Sequence, residues 1–279
     1  MPTVILTGAT RGIGRAAAIE LARRGAEVAI VGRDAHRVNE TADAAGGTVH
    51  RHVADLARMD EVRRLAAELL ERYPRIDVLA NNAGALFTSR HVTPDGFEQT
   101  FALNHLSPFL LTNLLMERLS ESRARVVTTS SDAHRGGMLD LDDLQSEHGR
   151  FRPMQVYGTT KLCNVLFTRE LQRRHPELAA NCFHPGVIRT GFGKNDGLAA
   201  RLSLTLIGPF LAGPGTGART LVSLALDPQG EELRGRYLEK GRPREPNAQA
   251  QDDRLAAELW ERSARLTLGS GAGDPVVAD

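Results

Sequence analysis

The stretch Val4-Ile5-Leu6-Thr7-Gly8-Ala9-Thr10-Arg11-Gly12-Ile13-Gly14 decides how the rest of the chain is read. A short apolar run enters a loop with three glycines. A helical pattern follows, with Ala16, Ala17, Ile19, Leu21 and Ala22, and stops at Gly25. Glycines at T-G-x-x-x-G-x-G spacing let backbone approach a pyrophosphate, and the helix N-terminus supplies free N–H groups and a positive dipole end. Strand, loop and helix together point to a dinucleotide-binding unit rather than an ordinary strand-to-helix turn.

Glu27 to Val31 reads as the second strand and ends at Gly32-Arg33-Asp34. An acid at this tip would hold the adenosine ribose, whereas an arginine can meet a 2′-phosphate. Arg33, with Arg11 in the glycine loop as a second cation, favours NADP(H) over NAD(H). Asp34 follows, and its side chain points the other way if the chain is still extended. The alternative, solvated arginines in an Arg-rich chain, stays open.

The alternation continues, with a helix over Ala35–Ala45, a strand over Thr48–Val53 closed by Asp55-Leu56, and a helix over Arg58–Tyr73. A strand over Ile76–Ala80 runs into Asn81-Asn82-Ala83-Gly84. A long helix with Pro108 as a kink is expected over Phe97–Leu119, then a strand from Arg125 to Ser131 and another from Ala179 to Phe183 leading to His184-Pro185-Gly186. The fold class is α/β. The chain reads as a single doubly wound Rossmann-type domain over residues 1–268, with a mostly parallel, seven-stranded sheet flanked by helices and ligands beyond the strands' carboxyl ends. Residues 250–268 are expected to form a C-terminal helix, and 269–279 a flexible tail.

Composition excludes several classes. The formal net charge of +1 gives no electrostatic reason to expect nucleic acid as partner. Two cysteines, Cys163 and Cys182, make no disulfide framework, and no Cys/His cluster has metal-ligand spacing, so no metal is expected. The longest apolar stretch, Leu202 to Ala212, is broken by Gly208-Pro209 and is too short to span a bilayer. With no basic leader at the start, a cytoplasmic protein is expected, and the Arg/Ala-rich composition suggests a GC-rich bacterial source.

Tyr157-Gly158-Thr159-Thr160-Lys161 read as helix sets a phenol and an ammonium one turn apart on the same face. A nearby cation favours phenolate, so the tyrosine pKa is expected to fall. Of 35 basic residues only Lys161, Lys194 and Lys240 are lysines, which suggests a need for a compact ammonium here.

Taken in order, Thr7-Gly8…Gly12-Ile13-Gly14, Asn81 to Gly84, Asn104, Ser131, Tyr157, Lys161 and Pro185-Gly186 resemble the short-chain dehydrogenase/reductase family. Asp95-Gly96-Phe97…Asn104-His105-Leu106…Phe109-Leu110-Leu111-Thr112, Asp143 to Glu147 and Lys161-Leu162-Cys163-Asn164-Val165-Leu166-Phe167 are similar to its retinol dehydrogenase-like branch. The helix around Leu255, Leu259 and Trp260 is similar too. No membrane anchor of the kind many such relatives carry is expected, and the stretch between Ser131 and Tyr157 is longer than in smaller members.

The resemblance implies that Tyr157 is the general acid/base and that Lys161 lowers its pKa and bonds the nicotinamide ribose. Ser131 would hold the substrate oxygen, and Asn104 a water that connects Lys161 to bulk. It also implies that Gly8, Thr10, Arg11, Gly12, Ile13, Gly14 and Arg33 surround the pyrophosphate and adenosine phosphate, with Asp55 and Leu56 at the adenine. Asn82, Ala83 and Gly84 would face the adenosine-side ribose, and Pro185, Gly186, Val187 and Thr190 the nicotinamide. Residues 187–213, apolar through Phe192, Leu198, Leu202 and Leu206, would form a substrate lid. The implied activity interconverts a hydrophobic ketone or aldehyde and its alcohol. Two rivals are a non-redox cyclisation or isomerisation and a non-catalytic NADP(H)-binding sensor. Relatives commonly pair through the helices that begin here near Asp95 and Tyr157, implying a homodimer or homotetramer unless the C-terminal helix caps that surface.

Overall fold

The computed structural model describes residues 1–186 and 214–269; the expected lid at 187–213, with Val187 and Thr190, and the tail beyond 269 lie outside them. Its core is one sheet whose strands follow the order β3-β2-β1-β4-β5-β6-β7-β8. The strands are β1 Thr3–Thr7, β2 Glu27–Gly32, β3 Val49–Val53, β4 Val78–Asn81, β5 Arg125–Thr129, β6 Ala179–His184, β7 Tyr237–Glu239 and β8 Arg242–Pro243. The first seven run parallel, and β8 is a two-residue antiparallel addition to β7. Eight strands thus replace the seven expected. A two-residue edge strand has no periodicity to read, which is why it escaped.

Between the strands lie α1 Gly12–Arg23, α2 Ala35–Ala45, α3 Met59–Arg72, α4 Gln99–Phe101, α5 Ser107–Leu114, α6 Met116–Glu121, α7 Pro153–Arg174, α8 Pro214–Leu226, α9 Pro228–Glu232 and α10 Asp253–Thr267. Because strand side chains alternate, β1 feeds both faces. Val4 and Leu6 pack with Ala17, Leu21, Val38 and Leu221 of α1, α2 and α8. Ile5 packs with Leu65, Phe109 and Leu166 of α3, α5 and α7. Each such side chain, fully buried, contributes roughly 1.5–3 kcal/mol relative to exposure.

The expected long helix over Phe97–Leu119 is broken differently. Buried Glu98 caps α4, accepting from the N–H groups of Thr100 at 2.9 Å and Phe101 at 2.8 Å. A wide turn over Ala102–Leu106 follows, in which the N–H of Ser107 reaches the carbonyl of Ala102, five residues back. Pro108 then sits in the first turn of α5, where its missing N–H is tolerated. The distortion precedes the proline instead of falling on it. It does so because the chain widens by one residue before Pro108, a pattern found at functional sites.

The C-terminal helix is narrower than expected, with Asp252 capping Asp253–Thr267 through the N–H groups of Arg254 and Leu255. It lies across α5 and α7, with the Trp260 ring 4.9 Å from that of Phe109 and 5.8 Å from that of Phe167. It thus covers the face that the family resemblance offered for pairing. No helix among the described residues is long and apolar enough to cross a membrane.

Candidate active site

β1 and β4 lie side by side where the strand order reverses, and a crevice opens beyond their carboxyl ends. Thr7 ties the two ends together. Its Oγ1 donates to the carbonyl of Ala80 at 3.2 Å and accepts from the N–H groups of Asn82 at 2.9 Å and Ala83 at 3.1 Å. The Asn82 amide donates to the carbonyls of Thr7 at 3.0 Å and Gly8 at 3.3 Å. Asn82 is therefore a brace for the glycine loop, with its amide spent on protein. Gly8 has φ +66° and lies so close to Ala83 that a Cβ would come 2.7 Å from its Cα. A Cβ on Gly14 would come 2.1 Å from the carbonyl oxygen of Gly8. Nothing larger than glycine fits at either place. Gly12 and Ile13 open α1, with Arg11 at its N-cap making no side-chain capping bond.

At the tip of β2, Gly32 is buried and Arg33 exposed. Asp34 caps α2 by accepting from the N–H of Arg37 at 3.2 Å and pairs with the Arg37 guanidinium at 3.5 Å. The bond from Arg37 holds its carboxyl below the usual range. Neither Arg11 nor Arg33 makes an ion pair with a described residue. Thr10 lies over Gly32, where a Cβ would meet its methyl at 2.4 Å. Asp55 turns back to its own loop, accepting from the N–H of Ala57 at 3.1 Å, and Leu56 is buried beside it. Pro185 and Gly186 leave the end of β6, half-buried.

Ser131 and Tyr157 come together through an unusually close backbone contact. Ser131 caps a short 3₁₀ turn over Asp132–Gly136, accepting from the N–H of Ala133 at 3.2 Å. That turn sits directly on α7. A Cβ on Gly158 would come 2.6 Å from the carbonyl oxygen of Ala133, and one on Gly137 would come 2.6 Å from that of Gly158. Thr159 fastens the exit, its hydroxyl accepting from the N–H of Met138 and donating to its carbonyl, both at 3.1 Å. This packing sets the Ser131 hydroxyl against the Tyr157 phenol, and their interaction pulls the phenol pKa down.

The electrostatics depart from expectation. Burial pushes the Tyr157 pKa up to about 12, and the interaction with Ser131 pulls it down. No effect of Lys161 on the phenol is resolved. Its Nζ stands 5.5 Å from the Tyr157 ring centroid and donates to the carbonyl of Thr129 at 3.1 Å, and burial depresses its own pKa to about 8. Desolvation of the buried phenol is the largest cause, and the hydrogen bond of the ammonium goes to the Thr129 carbonyl.

Asn104 lies in the wide turn, fully buried. Its side chain accepts from the N–H of Ala85 at 2.9 Å and donates to the Ala85 carbonyl at 2.9 Å and Thr160 Oγ1 at 3.0 Å. The amide is thus occupied, and what remains is the Asn104 carbonyl, which Pro108 cannot serve with an α-helical bond. Gly84 is exposed beside both groups, and a Cβ there would come 3.2 Å from Asn104 Oδ1 and from Lys161 Nζ.

His134 accepts and donates locally, with Nδ1 2.8 Å from the carbonyl of Ser131. His184 Nδ1 accepts from the N–H of Asp132 at 3.2 Å. A cavity of about 260 Å³ lies between residues 138–152 and Gln155, Val156, Thr159 and Thr160 of α7. Ser131, Tyr157 and Lys161 do not line it, so it is not where the reacting atoms meet. Sequence reasoning missed the roles of Thr7, Gly137, Gly158 and Thr160. Gly158 carried a signal, being a glycine in mid-helix that propensity disfavours.

Residues 2–199 match the family model described as short chain dehydrogenase. The chain belongs to the short-chain dehydrogenase family. A Streptomyces sp. (strain C5) protein named as a daunorubicin C-13 ketoreductase, DnrU, is 44% identical over 266 residues, covering 94% of this chain and 91% of that one. Human retinol dehydrogenase 13 is 38% identical, covering 95% and 84% respectively. A crystal structure of an uncharacterized protein from Mycobacterium paratuberculosis superposes with a TM-score of 0.79 at 35% identity, covering 96% of this chain and 94% of that one. This short-chain dehydrogenase falls in the retinol dehydrogenase-like branch, an oxidoreductase of alcohol and carbonyl groups that uses a nicotinamide cofactor.

Proposed function

We propose that the chain is an NADP(H)-dependent ketoreductase or alcohol dehydrogenase, interconverting a hydrophobic ketone or aldehyde and its alcohol. The observation that carries this reading is the Gly137–Gly158 contact that sets Ser131 against Tyr157, with Lys161 Nζ 5.5 Å from the Tyr157 ring, at the carboxyl edge of β5. The residues fit a dinucleotide. Gly8 and Gly14 leave a cradle that a Cβ would fill, and Gly84 is open beside the Lys161 ammonium. When bound, the cofactor supplies or accepts the hydride.

The chain's own residues do the rest. Tyr157, protonated at neutral pH, donates its proton to the carbonyl oxygen in reduction and takes one back in oxidation. Ser131 donates to the same oxygen, stabilising charge as it develops there. Lys161 bonds the nicotinamide ribose. Asn104 offers its main-chain carbonyl to a water by which the proton is replaced. Arg33 and Arg11 support NADP(H), because both cations are exposed while Asp34 is spent on its helix cap.

Residues 1–268 would act as one catalytic unit, with 187–213 as its lid, in a bacterial cytoplasm. Association into a homodimer or homotetramer would use surfaces other than the one α10 covers. The relatives named for daunorubicin C-13 ketoreduction and for retinol support a hydrophobic substrate.

The test is NADPH consumption against varied hydrophobic ketones and aldehydes. Turnover with a two-hydrogen gain in product mass is expected, and Tyr157→Phe should lower it roughly 100- to 10,000-fold. Binding without turnover across the panel would favour a sensor, and an unchanged product mass an isomerase.

A further inference from the structure

Lys161 shares its acceptor. The β4–β5 ladder ends at Asn81↔Thr128, so the Thr129 carbonyl has no residue of β4 opposite it. Two buried side chains of α7 take it instead, Lys161 Nζ at 3.1 Å and Asn164 Nδ2 at 3.3 Å. With Nδ2 on that carbonyl, Asn164 Oδ1 is turned away from β5. It is buried with no close partner, and so is His105 Nδ1. His105 packs on α7 through Phe167, one turn beyond Asn164, so the two orphaned atoms are buried on facing elements.

An acceptor at Asn164 Oδ1 requires the proton of His105 on Nδ1, which leaves Nε2 to accept. Ser263 of α10 completes the line, its Oγ 2.9 Å from His105 Nε2. The imidazole is wholly buried between Phe101, 5.3 Å away in a stacked contact, and Phe167, edge-on at 6.4 Å. A neutral ring there holds one tautomer and one orientation.

The geometry points to Ser263, His105 and Asn164 as a line of positioning residues that fixes the Thr129 carbonyl and, through it, the Lys161 ammonium. The C-terminal helix thereby becomes part of the active-site support. With the second lone pair of Thr129 occupied, the carbonyl cannot swing, and Lys161 keeps its remaining protons directed past Gly84. This rests on the dinucleotide reading proposed above.

The test is a double-mutant cycle in the full chain, read by the NADPH dissociation constant and by kcat. Asn164→Leu is expected to weaken NADPH binding and to lower kcat by roughly ten- to a hundred-fold, the range a misplaced group costs. In a Lys161→Ala background it should add less than about two-fold to the dissociation constant. Ser263→Ala should move both quantities the same way, and Ser263→Thr, which keeps the hydroxyl, should restore them. If Asn164→Leu does not fold, the same cycle is run with Ser263→Ala. Equal losses with and without Lys161, or no loss from either variant, overturn the inference. A wild-type chain that binds neither NADPH nor NADH overturns the functional reading itself.

Discussion

Between Tyr157 and Lys161 the chain places Gly158, inside a helix of 22 residues. Glycine there costs about 1 kcal/mol relative to alanine. The Ala133 carbonyl explains it, since a Cβ would come 2.6 Å from that oxygen. Gly158→Ala should therefore lower kcat by roughly ten- to a hundred-fold by parting Ser131 from Tyr157, even though alanine favours the helix. Kinetics beside a thermal melt check this; an improved melting temperature with unchanged kcat would refute it. Arg33→Asp should move cofactor preference towards NADH, measured as the ratio of kcat/KM for the two dinucleotides. Residues of this kind divide by what makes them legible. Tyr157 and Lys161 were readable because helical spacing alone puts them on one face. The bracing roles of Asn82 and Asn164 were not, because they depend on carbonyls that the fold brings from distant positions, 75 and 35 residues away.

At the scale of elements, α10 shows how much rests on one ring. Trp260 packs on Phe109 and Phe167, with the Arg174 guanidinium 4.9 Å over its face. Trp260→Ala should destabilise by about 3–5 kcal/mol, lowering the melting temperature by roughly 10 °C. If Ser263 supports the lysine, the same variant should also weaken NADPH binding well below that temperature. The strands and the amphipathic helices could be read from the chain because both faces of the sheet are covered. Each central strand is then a plain apolar run. Phe97 to Leu119 defeated that approach. A one-residue widening at Ala102–Leu106 keeps the apolar face nearly intact, so the pattern still looks like one helix.

For the whole molecule, acid is the condition to watch. Burial lowers the pKa of His105 to about 4 and also depresses those of His52, His134 and His184. Each favours its neutral form when folded, whereas the unfolded chain takes up protons near pH 6.5. Stability is then fully present above that value and lost as pH falls through the window from about 6.5 to 4. His105 alone accounts for on the order of 3 kcal/mol across it. Melting temperatures at constant ionic strength should decline between pH 7 and 5, before most carboxylates titrate. A flat profile would contradict this, and His105→Gln should make the decline shallower.

The contact between Gly137 and Gly158 also bears on how such a protein can be altered. Main chain, not side chains, sets the gap between the proton donor and its partner. Residues 139–152 run between two posts, the Thr159 clasp on Met138 and the start of α7 at Pro153, and Gln145 ties their middle to the N–H of Glu98. Libraries confined to that span, or grafts from relatives, should retune which carbonyl is accepted while the reaction survives. Changes on either side of it would disturb the gauge itself.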